Sequence, residues 1–283
     1  MKKLFYTLLC ILSLTTASFA QKHILVDFAL QCEGDYITAS NPQIEFPYTN
    51  AFGTKYQIND VQFFISNIEI RVNGKWISNA SQIKNNKECR ESPFYLDDKY
   101  LLNRVSFSIK AKQPVVDSIR FTFGIPKELN KSYSLEDPEM ARMYWPEVLG
   151  GGYHSMKLNI KFIDNQDSVS LFNCHLGRGV VGDTFVDNEF SITLPVAPTT
   201  IFFNLSPKEW YKKTTTYNVT VTMNIEKWFL EPNPIDFNLY TKGIMGNQEV
   251  MGKIIENGKN VFSTSPLQSI EIMKEYYRRI KYQ

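Results

Sequence analysis

MKLNIKFIDNQDSVSLFNCHLG, residues 156–177, decides the fold. Leu158, Ile160 and Phe162 alternate with Lys157, Asn159 and Lys161. That period of two marks a strand with one face in a core and the other in polar surroundings. The polar stretch Asp164-Asn165-Gln166-Asp167 follows, and then a second apolar-rich run. Strand, short polar turn and strand together read as a β-hairpin. With Asn165-Gln166 as a two-residue loop, Leu158 opposes Asn173, Ile160 opposes Leu171 and Phe162 opposes Val169. Apolar then meets mostly apolar across the pair, as register selection requires.

The same reading runs outward along the chain. Residues 217–225 (YNVTVTMNI) alternate cleanly and predict a half-buried strand. Further strand-like runs occupy residues 24–30, 119–123, 190–194 and 201–205. Between residues 61 and 72 the apolar phase changes: Val61, Phe63 and Ile65 share one parity, Ile68, Ile70 and Val72 the other. A bulge near Ser66-Asn67 restores a common core face. Asn73-Gly74 then predicts a tight hairpin turn into Lys75-Trp76-Ile77. Helical signals are few. Residues 134–143 hold a short helix opened by Asp137-Pro138, residues 247–256 another, and residues 266–282 a C-terminal helix ending in Arg278, Arg279 and Lys281. The fold class is therefore mainly β, an antiparallel β-sandwich with a few short helices and a C-terminal helix.

The first twenty residues have the layout of an export signal: Lys2 and Lys3, an apolar run, and a Ser18-Phe19-Ala20 cleavage site. The apolar run falls short of the roughly 20 residues a membrane span needs. The expected organisation is a signal peptide at 1–20 and a single domain with a C-terminal helical tail at 21–283, periplasmic or secreted after cleavage near Ala20. Loss of Lys2 and Lys3 takes the 31 basic residues to 29, against 29 acidic ones. A near-neutral chain without a basic, aromatic-interleaved block has no electrostatic case for nucleic acid. No second apolar run is long enough to span a membrane. Cys32, Cys89 and Cys174 survive cleavage. In an oxidising compartment the simple arithmetic is one disulfide and one free thiol, with Cys32–Cys89 preferred and three unpaired cysteines as the alternative.

The sequence has three histidines, and two of them, His154 and His175, fall at the open end of the hairpin. The two-residue-loop register sets Met156 opposite His175 and His154 opposite Gly177, diagonal to His175. Diagonal neighbours lie roughly 7–8 Å apart, close enough for two imidazoles to converge. His154, Met156 and His175 then form one cluster, while Cys174 points to the other face. Imidazole plus thioether suits copper, Cu(I) above all, whereas calcium and magnesium want carboxylate oxygens. Met140 and Met143 are near enough in sequence to add thioethers, Trp145 to cover the site, and Glu147 to supply a carboxylate. The bland alternative is two satisfied polar histidines beside a gap-filling methionine. Gly150-Gly151-Gly152 reads as a tightly turned or flexible loop, because no strand-to-helix context makes it a phosphate cradle.

The order of these pieces resembles the MbnP-like copper-binding domain of exported bacterial proteins. The resemblance is carried by YQINDVQFFISNIEI (56–70), FTFGIPKELN (121–130), MYW (143–145), GGYHSMKL (151–158) and FNCHLG (172–177). It implies a β-sandwich that binds copper outside the cytoplasm through histidines, with an oxidised tryptophan, kynurenine, at the site in some members. By position, His175 opens the HLG step and Trp145 closes MYW. Many members carry a second tryptophan two positions later, where this chain has Glu147.

Copper capture or delivery, together with a redox or copper-delivery partner protein, is the leading functional expectation. The alternative is a non-metal surface sandwich domain binding a protein or glycan, which exposed aromatics clustered away from the hairpin would favour. An enzyme is not expected: neither GxSxG nor HExxH occurs. His23 lies beside the cleavage point, Asp60 reads as a turn or cap residue, and Trp210 and Trp228 as packing.

Overall fold

A computed structural model describes residues 21–39, 45–78, 93–110, 114–196, 200–202, 215–241 and 243–264. The strands, in chain order, are β1 (Gln21–Cys32), β2 (Asp35–Tyr36), β3 (Tyr48–Thr49), β4 (Lys55–Val72), β5 (Lys75–Ser78), β6 (Phe94–Asp97), β7 (Asn103–Lys110) and β8 (Val116–Phe123). They continue as β9 (Met156–Ile163), β10 (Val169–Leu176), β11 (Gly179–Val181), β12 (Thr184–Val186), β13 (Phe190–Pro195), β14 (Thr200–Phe202), β15 (Thr215–Asn224) and β16 (Phe262–Thr264). Among the described residues two α-helices join them, α1 (Pro138–Ala141) and α2 (Gln248–Gly258).

Two large sheets form the sandwich. One runs β14-β15-β1-β2, with β7 also on β1 and β16 on β15. The other runs β10-β9-β4-β8-β13, with β3, β5 and β6 also on β4. Pairing is antiparallel except between β1 and β15, which run parallel. The sheets meet through rings: Phe28 of β1 stands edge-on to Phe121 of β8 at 5.6 Å, and Phe262 of β16 packs on Phe121 and Phe123. Each such side chain contributes about 1.5–3 kcal/mol by leaving water.

β4 is the spine of the second sheet, and its register shifts at three places, one of them between Arg71 and Val72 against β8. Between Ser66 and Glu69 its register against β8 shifts, with Asn67 at φ 52°. Val61, Phe63 and Ile65 on one side of that step and Ile68, Ile70 and Val72 on the other are all buried. The expected bulge is there. Against β9 a further shift, between Ile58 and Asp60, lies outside the expected bulge. Asn73 and Gly74 take φ 49° and 78°, the left-handed pair of a tight hairpin turn, and lead into β5.

Two expectations need correction. First, the loop between β9 and β10 holds Asn165, Gln166 and Asp167: the Asp164 N–H bonds to the Ser168 carbonyl, and Asp167 is left-handed at φ 55°. That added residue moves the register by one. Phe172 faces Ile160, Cys174 faces Leu158, Leu176 faces Met156 and His175 faces Lys157. The three-residue hairpin with a left-handed last position is a common turn, and here it aligns every core side chain of both strands. Second, β15 is not half-buried. Its polar parity is also covered, with Asn218, Thr220 and Thr222 all buried. Asn218 donates to the fully buried Asp27, which Arg104 grips through Nε and Nη2 at 2.7 and 3.0 Å. Buried polar groups persist when so paired. Cys32 is a buried thiol 3.3 Å from the Tyr56 hydroxyl; Cys89, its expected disulfide partner, lies outside the described residues.

The helix at Asp137-Pro138 is a single turn capped by Asp137, and α2 is capped by Asn247. The signal peptide, Cys89, Trp210 and the 266–282 helix fall outside the described residues. Among those described, no helix is long and apolar enough to cross a membrane.

Candidate metal centre

The site is built where β9 and β10 open. Residues 143–154 double back on themselves before β9. Trp145 N–H bonds to the Gly152 carbonyl and His154 N–H to the Met143 carbonyl, with Tyr144 and Tyr153 bridged between them. The three glycines make this reversal feasible. Gly150, Gly151 and Gly152 take φ 105°, 62° and 84°. A Cβ on Gly151 would run into Glu147 Oε2 and one on Gly152 into Asn130 Oδ1. Left-handed backbone with no room for a side chain requires glycine. The run is a tight turn.

Trp145 is fully buried, and its Nε1–H donates to the Leu149 carbonyl at 3.0 Å across a single 3-10 turn. Gly177 leaves space for it, since a Cβ there would stand 2.5 Å from the indole. The indole meets the His154 ring edge-to-face at 4.7 Å. The His154 ring in turn meets the His175 ring at 5.2 Å, the two planes crossing at 83°.

The tautomer of each histidine follows from its partners. His154 Nδ1 lies 2.9 Å from the Met143 carbonyl. A carbonyl can only accept, so Nδ1 carries the proton and Nε2 holds the lone pair. That Nε2 is buried without a hydrogen-bond partner. Burial, with smaller contributions from the Lys157 and His175 charges, pushes the His154 pKa down to about 3 despite the bond to Met143. His175 is half-buried, and its Nε2 lies 2.9 Å from Asn159 Oδ1. Burial and then Lys157 lower its pKa to about 4, against a raising effect of Asp60. Both rings are therefore neutral at ordinary pH.

The remaining expected site residues are placed as follows. Met156 does not face His175. It opposes Leu176, is fully buried and belongs to the core between the sheets. The one-residue register change is the cause, because it moves Met156 and His175 to opposite faces. Met143 lends its carbonyl to His154, while its side chain packs with Phe64, Ile125 and Tyr153. Glu147 is exposed and engaged at the loop: it accepts from Tyr144 Oη at 2.9 Å, and hydrogen bonds from Ser132 and Tyr144 hold its pKa below the usual range. Cys174 points away from His175, as expected, but onto the core face it shares with Met156, and burial pushes its thiol up. Among the described residues no group of three or more His, Cys, Asp and Glu side chains gathers as a metal cage. The donor set is two imidazoles beside an indole.

The family model MbnP matches residues 20–251. The chain belongs to the MbnP family. A solved structure, MbnP from Methylosinus trichosporium, superposes over 77% of this chain and 80% of that one, with a TM-score of 0.47 at 13% sequence identity. No curated protein matches the sequence. The matched stretch contains the MYW step, the glycine turn, His154 and His175.

Sequence reading missed two residues of the site. Asn159 and Asp60 stand behind His175: Asn159 Nδ2 donates to both Asp60 oxygens at 3.1 and 2.9 Å. Alternation places Asn159 on the polar face with Lys157. Asp60 reaches that face only through the bulge at Ile58/Asp60, whose signal is the parity change from Tyr56 and Ile58 to Val61 and Phe63.

Proposed function

We propose that the protein binds one copper ion, as Cu(I), between His154 and His175, and captures or delivers it outside the cytoplasm rather than turning over a substrate. The observation that carries this reading is the His154 Nε2 lone pair, buried without a partner in a ring 5.2 Å from that of His175. A buried unsatisfied nitrogen costs about 1–3 kcal/mol, and a bound ion removes that cost. The donor set favours copper. Structural zinc wants four nitrogen or sulfur ligands, calcium wants six to eight oxygens, and neutral imidazoles suit copper. The resemblance in residues 143–177 supports the same metal. A partner protein that supplies or receives the ion completes the reading. The exposed Tyr133, stacked on Tyr144 at 5.2 Å, belongs to the loop beside the site, not to a remote aromatic patch.

The test is anaerobic Cu(I) titration against a competing chelator for the wild type, His154→Phe and His175→Ala. Phe keeps a ring against Trp145 and removes the unsatisfied nitrogen, so His154→Phe stays folded. One ion per chain is expected in the wild type. Each variant should lose more than about 100-fold in affinity, exceeding what loss of an outer-shell partner costs. Wild-type protein that holds no Cu(I), or variants that titrate like it, would overturn the proposal.

A further inference from the structure

Behind His175 runs a chain of hydrogen bonds that no histidine-based reading of the site requires. As a carboxylate, Asp60 can only accept, and both its oxygens lie within 3.1 Å of one terminal atom of Asn159. That atom must be the amide nitrogen. The other terminal atom is then the carbonyl oxygen, which can only accept, so the His175 nitrogen facing it at 2.9 Å must be the donor. Nε2 of His175 carries the proton, and its lone pair is confined to Nδ1.

Asp60 is itself held in place. Gln62 Nε2 and Asn59 Nδ2 each donate to it at 3.3 Å. The bulge between Ile58 and Asp60 brings it opposite Asn159 while Ile58 and Val61 both stay in the core. An unbulged strand would give Asp60 and Val61 opposite faces but would put Ile58 on the Asp60 side. The extra residue is what reconciles a polar contact at 60 with core positions at 58 and 61.

We infer that Asp60 and Asn159 are positioning residues that set the His175 tautomer and so make Nδ1 the metal-binding atom. The two histidines thus offer opposite nitrogens: His154 gives Nε2 because the Met143 carbonyl holds its Nδ1–H, and His175 gives Nδ1 because Asn159 holds its Nε2–H. This inference rests on the copper reading for its purpose, but the tautomer itself is decided in protein free of metal.

The experiment is a long-range ¹H–¹⁵N correlation spectrum of the histidine rings in the metal-free full chain at neutral pH. Wild type should show His175 with a protonated, pyrrole-like Nε2 and a pyridine-like Nδ1. Asn159→Leu and Asp60→Ala should shift His175 toward a mixture of tautomers while His154 keeps its Nδ1–H signature, which also reports that each variant is folded. Asp60→Asn retains an acceptor for Asn159 and should retain the wild-type His175 pattern. In the Cu(I) titration, Asn159→Leu and Asp60→Ala should weaken binding by about 10–100-fold. A wild-type His175 protonated on Nδ1, or a pattern unmoved by both Asn159→Leu and Asp60→Ala, overturns the inference. So does an Asp60→Asn protein as scrambled as Asp60→Ala. Should the wild type bind no copper while the tautomers respond as described, the metal assignment falls and the positioning role stands.

Discussion

The two faces of the β9–β10 hairpin are made from alternating residues of the same strands, yet they obey opposite rules. Inward, Met156, Leu158, Ile160 and Phe162 meet Phe172, Cys174 and Leu176, and every one of these is fully buried. Outward, Lys157 and Asn159 meet His175, with His154 close above and Asp60 reaching across from β4. The inner face is satisfied: apolar atoms contact apolar atoms and nothing polar is stranded. The outer face keeps a buried nitrogen unpartnered and two imidazoles shielded from protonation. Stability comes from one side of the hairpin, and the other holds a reserve of unmet bonding.

The largest effect should come from breaking the inner face. Phe172 stacks on Phe237 at 4.7 Å and meets Phe229 edge-on at 5.6 Å. Phe172→Ala should cost about 3–5 kcal/mol of folding stability, in the range for large-to-small core changes. Chemical denaturation measures the loss. The fraction that remains folded should bind Cu(I) as wild type does, because the ring contacts none of the outer residues. A folded Phe172→Ala protein with weakened copper binding would show that the faces are not independent.

Acid should attack the other side. Free histidine titrates near 6.5, whereas folding lowers His154 to about 3 and His175 to about 4, chiefly by burial. Above pH 6.5 neither state binds the proton and stability is unaffected. Below it, the unfolded chain takes up protons that the folded one refuses, so stability falls with pH. The slope is about 1.4 kcal/mol per pH unit for each group. It should persist down to about pH 4 for His175 and about pH 3 for His154. Denaturation of metal-free protein across pH 7 to 4 should show this decline, and His154→Phe should flatten part of it. Identical slopes in the two proteins would mean that His154 is not held neutral by the fold.

How much of this was legible in the sequence differs between the faces for a physical reason. Core positions declare themselves through hydropathy: the phase change around Ser66-Asn67 located a bulge because the apolar residues on either side had to share one face. The bulge at Ile58/Asp60 leaves the same kind of mark, with Tyr56 and Ile58 on one parity and Val61 and Phe63 on the other, but a phase reading that starts at Val61 does not reach it. The pairing of His154 with His175 could be anticipated from their place at the hairpin mouth. Its detail could not, because the turn chemistry of Asp164 to Ser168 admits either two or three loop residues, and only the third residue, left-handed Asp167, sets the true register. A slip of one moves Met156 from the histidines into the core.

That slip gives the smallest expected effect and the sharpest test of the register. Met156→Leu exchanges two side chains of similar volume, so a core site should lose less than about 1.5 kcal/mol. It also removes the one thioether that a two-residue loop would aim at His175. With Met156 facing Leu176 in the core, Cu(I) affinity and stoichiometry should match the wild type within error while the melting point moves by a few degrees. A Met156→Leu protein that keeps its stability but loses copper would place the thioether among the ligands and reinstate the shorter loop.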